Sequence, residues 1–296
     1  MFMVGEKRTV HHPDFLCDGM IFPESPRWHR GNFYCCSIDE GTIFRISPDG
    51  SREIVVVIDD WLSGWIFAHS DSDEIILSSG RRRKLLCWDG KVIQEIADLT
   101  DIATFGIHDM VGTEDGMIFV DCINFRFGEV ALSEVPKSPL IRVDPSCKSA
   151  VVSNRPSFPN GLVITPDRKR LIAADSLQAS LHQWDLDPDG NLLNHRMFAT
   201  IPGSVPDGIC MDEEGGIWVS SGHRGVFRVL DGGEITDRVD MGTTGATACM
   251  LGGDDRRTLL ITASDSFDRV VINRNPSGRL FTVRVKVSGA GLPSWY

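Results

Sequence analysis

Six short strand-like runs recur along this chain, and that recurrence leaves few folds open. They occupy residues 33–37, 75–79, 117–121, 171–175, 217–221 and 259–263, and each starts apolar and ends in small or polar residues. Their first residues, Phe33, Ile75, Met117, Leu171, Ile217 and Leu259, are separated by 42, 42, 54, 46 and 42 residues. A turn-like segment precedes each, such as Glu114-Asp115-Gly116 or Glu214-Gly215-Gly216. After several runs a second strand, a Gly/Pro turn and a third strand follow. In the first unit these are 42–46, 47–50 and 53–57. Four strands per repeat of this length predict a β-propeller, here with six blades. One blade cannot bury both of its faces alone, whereas a ring of blades does. A β-helix repeat is much shorter, and a two-domain β-sandwich is the competing architecture. No long segment has the 3.6-residue apolar periodicity of a helix.

The fold expected is therefore all-β, a single six-bladed β-propeller domain over 1–296 with a central metal-binding channel and an irregular tail near 286–296. The 54-residue interval predicts an insertion near residues 126–139 on one face. The segment before Glu24 is expected to supply a strand that closes the ring.

Composition narrows the partners. The chain is 42% hydrophobic and 24% charged, an ordinary globular mix. Its formal net charge of −11 argues against nucleic acid or anionic lipid, which need basic surface. The basic cluster 81–84 reads as a solvated turn. No apolar run approaches the roughly 20 residues of a membrane span, and the first residues lack a signal-peptide core. A soluble, cytoplasmic protein is expected, with a small molecule as partner and homo-oligomerisation left open. The eight cysteines form no C-x-x-C pair, so zinc and redox spacings are missing and a disulfide framework is not expected.

Equivalent positions on the innermost strands of a propeller face one another across its channel. Glu24 stands 9 residues before Phe33, Asn160 11 before Leu171, and Asp207 10 before Ile217. In the third unit His108 and Asp109 take this place, in the second Trp65 and Phe67, and in the sixth the small Gly245-Ala246-Thr247. Glu24, Asn160 and Asp207 each follow a proline. Alone, Asn-Gly or Asp-Gly is a common turn dipeptide. Repeated across blades, two carboxylates and an amide suit one divalent cation: Ca²⁺, Mg²⁺, Mn²⁺ or Zn²⁺. No G-x-S-x-G nucleophile and no P-loop is present.

At these residues the chain resembles the senescence marker protein (regucalcin), gluconolactonase and luciferin-regenerating enzyme family. The resemblance rests on 22–28, on 158–162 with 165–167, and on 206–208 with 214–219. Segments 251–254 and 258–262 also fit, and it covers about residues 14 to 285. It implies a six-bladed propeller with one catalytic divalent metal held by Glu24, Asn160 and Asp207. Family members hydrolyse sugar lactones, other lactones and esters, or organophosphates. Two positions depart. His108-Asp109 stands where the family has Asn-Asp, and Gly106 stands where regucalcin-type lactonases have an arginine for sugar substrates.

The reaction expected is metal-dependent hydrolysis of a lactone or related ester, with a polarised carbonyl and a metal-activated water. Asp207 would ligate the metal and accept a proton, and His108 would ligate or act as base. His108, Asp109, Trp65, Phe67 and Arg126 are expected to bind substrate. Arg126 would meet an anionic group, while Gly106, Trp65 and Phe67 suggest a substrate less polar than a free sugar lactone. The alternatives are a metal-dependent lyase or isomerase with His108 as base, and a non-catalytic Ca²⁺-binding propeller.

Overall fold

Runs such as Leu171–Ala174, every side chain of which is fully buried, have nowhere to sit but between two other layers. In the computed structural model, which describes residues 8–126, 129–131 and 134–290, six antiparallel sheets provide those layers. Two strands come first, β1 (Thr9–His11) and β2 (Asp14–Met20). Blade one is β3 (Pro23–His29), β4 (Asn32–Ser37), β5 (Thr42–Ile46) and β6 (Arg52–Val57). Blade two is β7 (Trp65–Phe67), β8 (Ile75–Ser79), β9 (Lys84–Trp88) and β10 (Ile93–Asp98). Blade three is β11 (Gly106–Gly112), β12 (Ile118–Ile123), β13 (Leu140–Val143) and β14 (Ser149–Ser153). Blade four is β15 (Pro159–Ile164), β16 (Arg170–Asp175), β17 (Ser180–Leu186) and β18 (Leu192–Thr200). Blade five is β19 (Ile209–Met211), β20 (Ile217–Ser220), β21 (Val226–Val229) and β22 (Ile235–Val239). Blade six has β23 (Gly245–Gly252), β24 (Thr258–Ser264) and β25 (Gly278–Arg284).

The first strands of successive blades touch in a closed circuit, β3, β7, β11, β15, β19, β23 and back to β3. The protein is a six-bladed propeller, and the six runs of the sequence repeat are the second strands. Its apolar clusters lie between neighbouring blades: one joins blades three to five, another blades five and six, another blades one and two. The ring closes as expected from the N-terminal segment. β2 pairs antiparallel with β25 as the outer strand of blade six, with Asp14 opposite Thr282 and Met20 opposite Gly278. β1 adds a parallel fifth strand to blade five.

The inner strands are not regular. Their pairing shifts between Glu24 and Arg27, between Ile107 and Met110, between Pro159 and Leu162, and between Ala246 and Ala248. These are β-bulges at equivalent places in four blades, and a bulge re-aims side chains and frees backbone groups. Polar side chains on second strands meet backbone N–H groups there. Ser78 Oγ accepts from Gly64 (3.0 Å), Asp121 Oδ1 from Asp109 (3.0 Å) and Thr262 Oγ1 from Ala248 (2.9 Å). These bonds account for the polar ends of the runs in blades two, three and six.

Other expectations resolve as follows. Residues 124–139 form the long connection of blade three, within which 127–128 and 132–133 lie outside the described residues. Residues 80–83 make a turn, and all eight cysteines are unpaired. The tail is irregular to residue 290, and 291–296 lie outside the described residues. No described helix is long and apolar enough to cross a membrane. One helix escaped the periodicity reading, α1 (Arg269–Arg274), whose first turn is capped by the Asp268 carboxylate. Six residues are too few to show a period.

Met20 is fully buried on the closing strand, whereas Phe15 on the same strand is 58% exposed. Met20→Ala should therefore cost about 2–5 kcal/mol in denaturant unfolding, and Phe15→Ala about 1 kcal/mol or less.

Candidate metal and catalytic site

The bulges gather the candidate residues at one end of the ring. Glu24 opens β3, His108 and Asp109 lie on β11, and Asn160 opens β15. Asp207 stands just ahead of β19, where its N–H donates to Ser220 O (2.9 Å). The following Gly208 N–H donates to Thr247 O of the next blade (2.9 Å). The glycines after Asn160 and Asp207 do not serve the turns that their dipeptides suggest, since neither has a positive φ. Close approach of backbones requires them. A Cβ on Gly161 would lie 2.5 Å from Ile209 N, and one on Gly208 would lie 2.2 Å from the Ala248 Cβ. Adjacent inner strands thus pack tightly enough to bring side chains of different blades together.

Glu24, Asp109 and Asn160 are buried and Asp207 is half-buried. Burial pushes the Glu24 carboxyl well above the ordinary carboxylate range, and the Asp207 charge pushes it further. The Ser25 N–H, 2.6 Å from Oε2, and the His108 ring work the other way. Asp207 is also held well up, first by burial and then by Asp109 and Asp121, although the Asn160 side chain favours its ionised form. Arg27 is close by but committed. It donates to Asp109 Oδ1 (3.3 Å) and to the carbonyls of Met110 (3.1 Å), Trp65 (3.1 Å) and Pro26 (3.0 Å). The buried Glu24 and half-buried Asp207 carboxylates, both raised first by burial, with the Asn160 amide beside Asp207, are a donor set that fits a divalent cation. Among the described residues no three His, Cys, Asp or Glu side chains form a metal-holding group.

His108 has a partner that the sequence reading missed. Its Nδ1 lies 3.7 Å from Oδ1 of the fully buried Asp121, an ion-pair distance too long for a hydrogen bond. Nδ1 and Asp121 Oδ2 are both buried without a hydrogen-bond partner. Burial lifts Asp121 to about 7, against the pull of His108. Burial alone would lower His108, but Asp121, then Asp109 and Glu24, hold it above its ordinary value. The His108 side chain keeps 15% of its surface open. Asp121 ends the run 117–121, and its signal was a carboxylate at a run end, shared with Asp175, where the other four runs have Ser or Ala.

Three expected substrate contacts change. Trp65 is fully buried, packs on Tyr34 and Phe67, and donates its indole N–H to Ser25 O (3.0 Å). Phe67 is 4% exposed and stacks on His29. Both belong to the core between blades one and two, because their strand turns these side chains into the blade interface, so neither offers a face to substrate. The argument for a less polar substrate loses these supports. Asp109 Oδ1 accepts from Met110 N–H (2.8 Å), Ser25 Oγ (3.3 Å) and Arg27, so this carboxylate ties blades one and three together. Arg126 is exposed, stacked over Phe105 and 3.5 Å from Glu129. Two clefts of about 790 and 510 Å³ open at the opposite end of the ring, lined by turns such as 165–167 and 213–215, and contain none of these residues.

A six-bladed propeller with an acid–amide cluster near one end of its inner strands is the class that fold and site define. Residues 22–265 match the model of the SMP-30/gluconolactonase/LRE-like region, and the chain belongs to that family. It is 26% identical to regucalcin of Gallus gallus over 91% of each chain. It is 31% identical to 6-deoxy-6-sulfogluconolactonase of Pseudomonas putida over 52% of this chain and 55% of that protein. With L-arabinolactonase of Azospirillum brasilense it shares 29% identity over 44% of each. The chain thus spans about half the length of these two lactonases in its alignments. Among solved structures, a luciferin-regenerating enzyme superposes with TM-score 0.80 at 19% identity, covering 96% of this chain and 100% of that one. A calcium-binding protein, regucalcin from Agrobacterium tumefaciens, gives 0.80 at 21%, covering 98% and 100%. At such identities the likeness shows the fold alone.

The raised carboxyls predict a pH signature. A carboxyl whose folded-state pKa exceeds its unfolded value stabilises the fold below the unfolded value. That stability is lost as pH rises through the folded value. Chelator-treated protein should therefore lose stability as pH rises above about 4, and the gain in Tm on adding a divalent cation should grow over the same range. In chelator-treated Glu24→Gln the fall should flatten. A cation-induced gain that is equal at pH 5 and pH 8 would contradict the arrangement.

Proposed function

We propose that this protein hydrolyses a lactone or related ester with one divalent cation held by Glu24, Asn160 and Asp207. The observation that carries this reading is the convergence of buried Glu24 with Asp207 and His108, where burial and the Asp207 charge raise the Glu24 carboxyl against the Ser25 N–H and the His108 ring. Membership of a family whose relatives include named lactonases supports the reaction class. The cation is one of Ca, Zn, Mn or Mg, as oxygen donors of this kind accept.

When bound at these three residues, a divalent cation supplies Lewis acidity toward a carbonyl oxygen and lowers the pKa of a water. The protein groups do the rest. Glu24 and Asn160 hold their oxygens fixed on two bulged strands. Asp207, with the Asn160 amide beside it, would hold the cation and take up the proton that the product carboxylic acid releases. His108, oriented by Asp121, accepts the proton of the attacking water and returns it to the departing ring oxygen. One C–O bond forms, the ring C–O bond breaks, and the product is a hydroxy acid.

The His108–Asp121 pair also favours a second reading, in which His108 abstracts a proton from carbon in a lyase or isomerase reaction. Labelled water separates the two: hydrolysis places one solvent oxygen in the product carboxylate, and lyase or isomerase chemistry places none. On a lactone panel His108→Ala should lower kcat about 10²–10⁴-fold. Asp207→Asn should lower it at least as far and weaken cation binding. Unchanged kcat in His108→Ala would remove the histidine from the mechanism.

A further inference from the structure

At the end of the ring that holds the candidate site, in a turn hydrogen-bonded to the residue before His108, stands an arginine that the hydrolytic reading does not use. Arg81 follows Gly80 in the turn after β8. Its neighbours are engaged: Arg82 donates to Asp59 O (3.0 Å), Arg83 to the carbonyls of Ala103 (3.3 Å) and Thr104 (3.1 Å), and Lys84 to Glu95 (2.7 Å). Arg81 is exposed and has no carboxylate partner among the described residues, in a chain whose formal net charge is −11. Its guanidinium lies over the Trp61 ring, 4.1 Å from the centroid. Arg269, itself paired with Asp39, stands 5.5 Å from the same ring. A guanidinium stacked on an indole has already lost much of its side-chain freedom, so less is lost when it binds an anion.

This turn is joined to the site. Gly80 O accepts from Ile107 N–H (3.2 Å), the residue before His108, and Gly80 N–H donates to Trp61 O (2.8 Å). Ser63 Oγ, two residues past Trp61, donates to His108 O (3.2 Å). Beside His108 there is also room. A Cβ on Gly106 would meet one atom within 4 Å, Gly80 O at 3.5 Å. Gly106 follows Phe105, on which Arg126 lies (5.4 Å).

We propose that Arg81 is a specificity-determining residue that receives an oxyanion, a carboxylate or sulfonate, carried by the substrate away from its reacting carbonyl. The inference deepens the lactone-hydrolysis reading and rests on it for the reacting end. A cation on a turn joined to the site, with the carboxylate cluster at its reacting end, would orient a substrate with two unlike ends. The anion stays at Arg81 while the carbonyl enters between Glu24, Asn160 and Asp207.

The test uses hydrolysis-inert lactams in three forms: a terminal hydroxyl, a terminal carboxylate and a terminal sulfonate. Each is titrated by calorimetry into the cation-loaded full chain. Wild type should bind a charged lactam about tenfold more tightly than the neutral one, the worth of one charge-assisted hydrogen bond. Comparison of the carboxylate and sulfonate arms identifies the oxyanion. Arg81→Gln should abolish the preference, leave neutral binding within about twofold, and be mimicked in wild type by high salt. Equal affinities, no binding of any lactam, or a preference that survives in Arg81→Gln would overturn the proposal. Turnover of the matching lactones is measured separately. Charge-selective binding without turnover rejects hydrolysis and keeps the anion subsite, whereas turnover without charge selectivity does the reverse.

Discussion

A blade of four strands that is apolar on both faces cannot stand in water by itself, and the rest of this structure follows from that constraint. Each blade covers one face with the blade before it and the other with the blade after it. The circuit must close, and closure falls to β2, which completes blade six from the opposite end of the chain. Closing the ring brings six inner strands together, so residues more than a hundred positions apart, such as Glu24 and Asn160, become members of one site.

Tight convergence makes the site electrostatically costly. Gly161 and Gly208 let neighbouring backbones approach to distances at which any Cβ would clash. Burial raises both Glu24 and Asp207; the Asp207 charge opposes ionisation of Glu24, and Asp109 and Asp121 oppose that of Asp207. Arg27 pairs with Asp109 behind the cluster and ties three blades together, so it is committed there rather than to Glu24 or Asp207. A buried like-charge pair held by rigid strands is the kind of arrangement that a bound cation relieves.

The repeat made most of the fold legible, because the spacing of second strands is a property of the chain. Glu24, Asn160 and Asp207 were legible for the same reason: each occupies one place in its repeat, and the structure sets them near one end of the ring. The readings that changed concern direction. Trp65 and Phe67 hold the equivalent place in blade two, yet their side chains turn into the core, since place in a repeat does not specify which face a residue presents. Asp121 was hidden because its meeting with His108 depends on the bulge between Ile107 and Met110. Cluster 81–84 is the turn expected of it, but only the stacking on Trp61 distinguishes Arg81 from its solvated neighbours. Helix α1 is too short to leave a periodic trace.

The central claim is that Glu24, Asn160 and Asp207 together hold one cation. Elemental analysis of the purified full-length protein, combined with native mass spectrometry, tests it directly. One divalent ion per chain is predicted in the wild type, with that ion lost from a folded Glu24→Gln, Asn160→Leu, Asp207→Asn variant. A triple variant that folds and keeps its ion at wild-type stoichiometry would contradict the account.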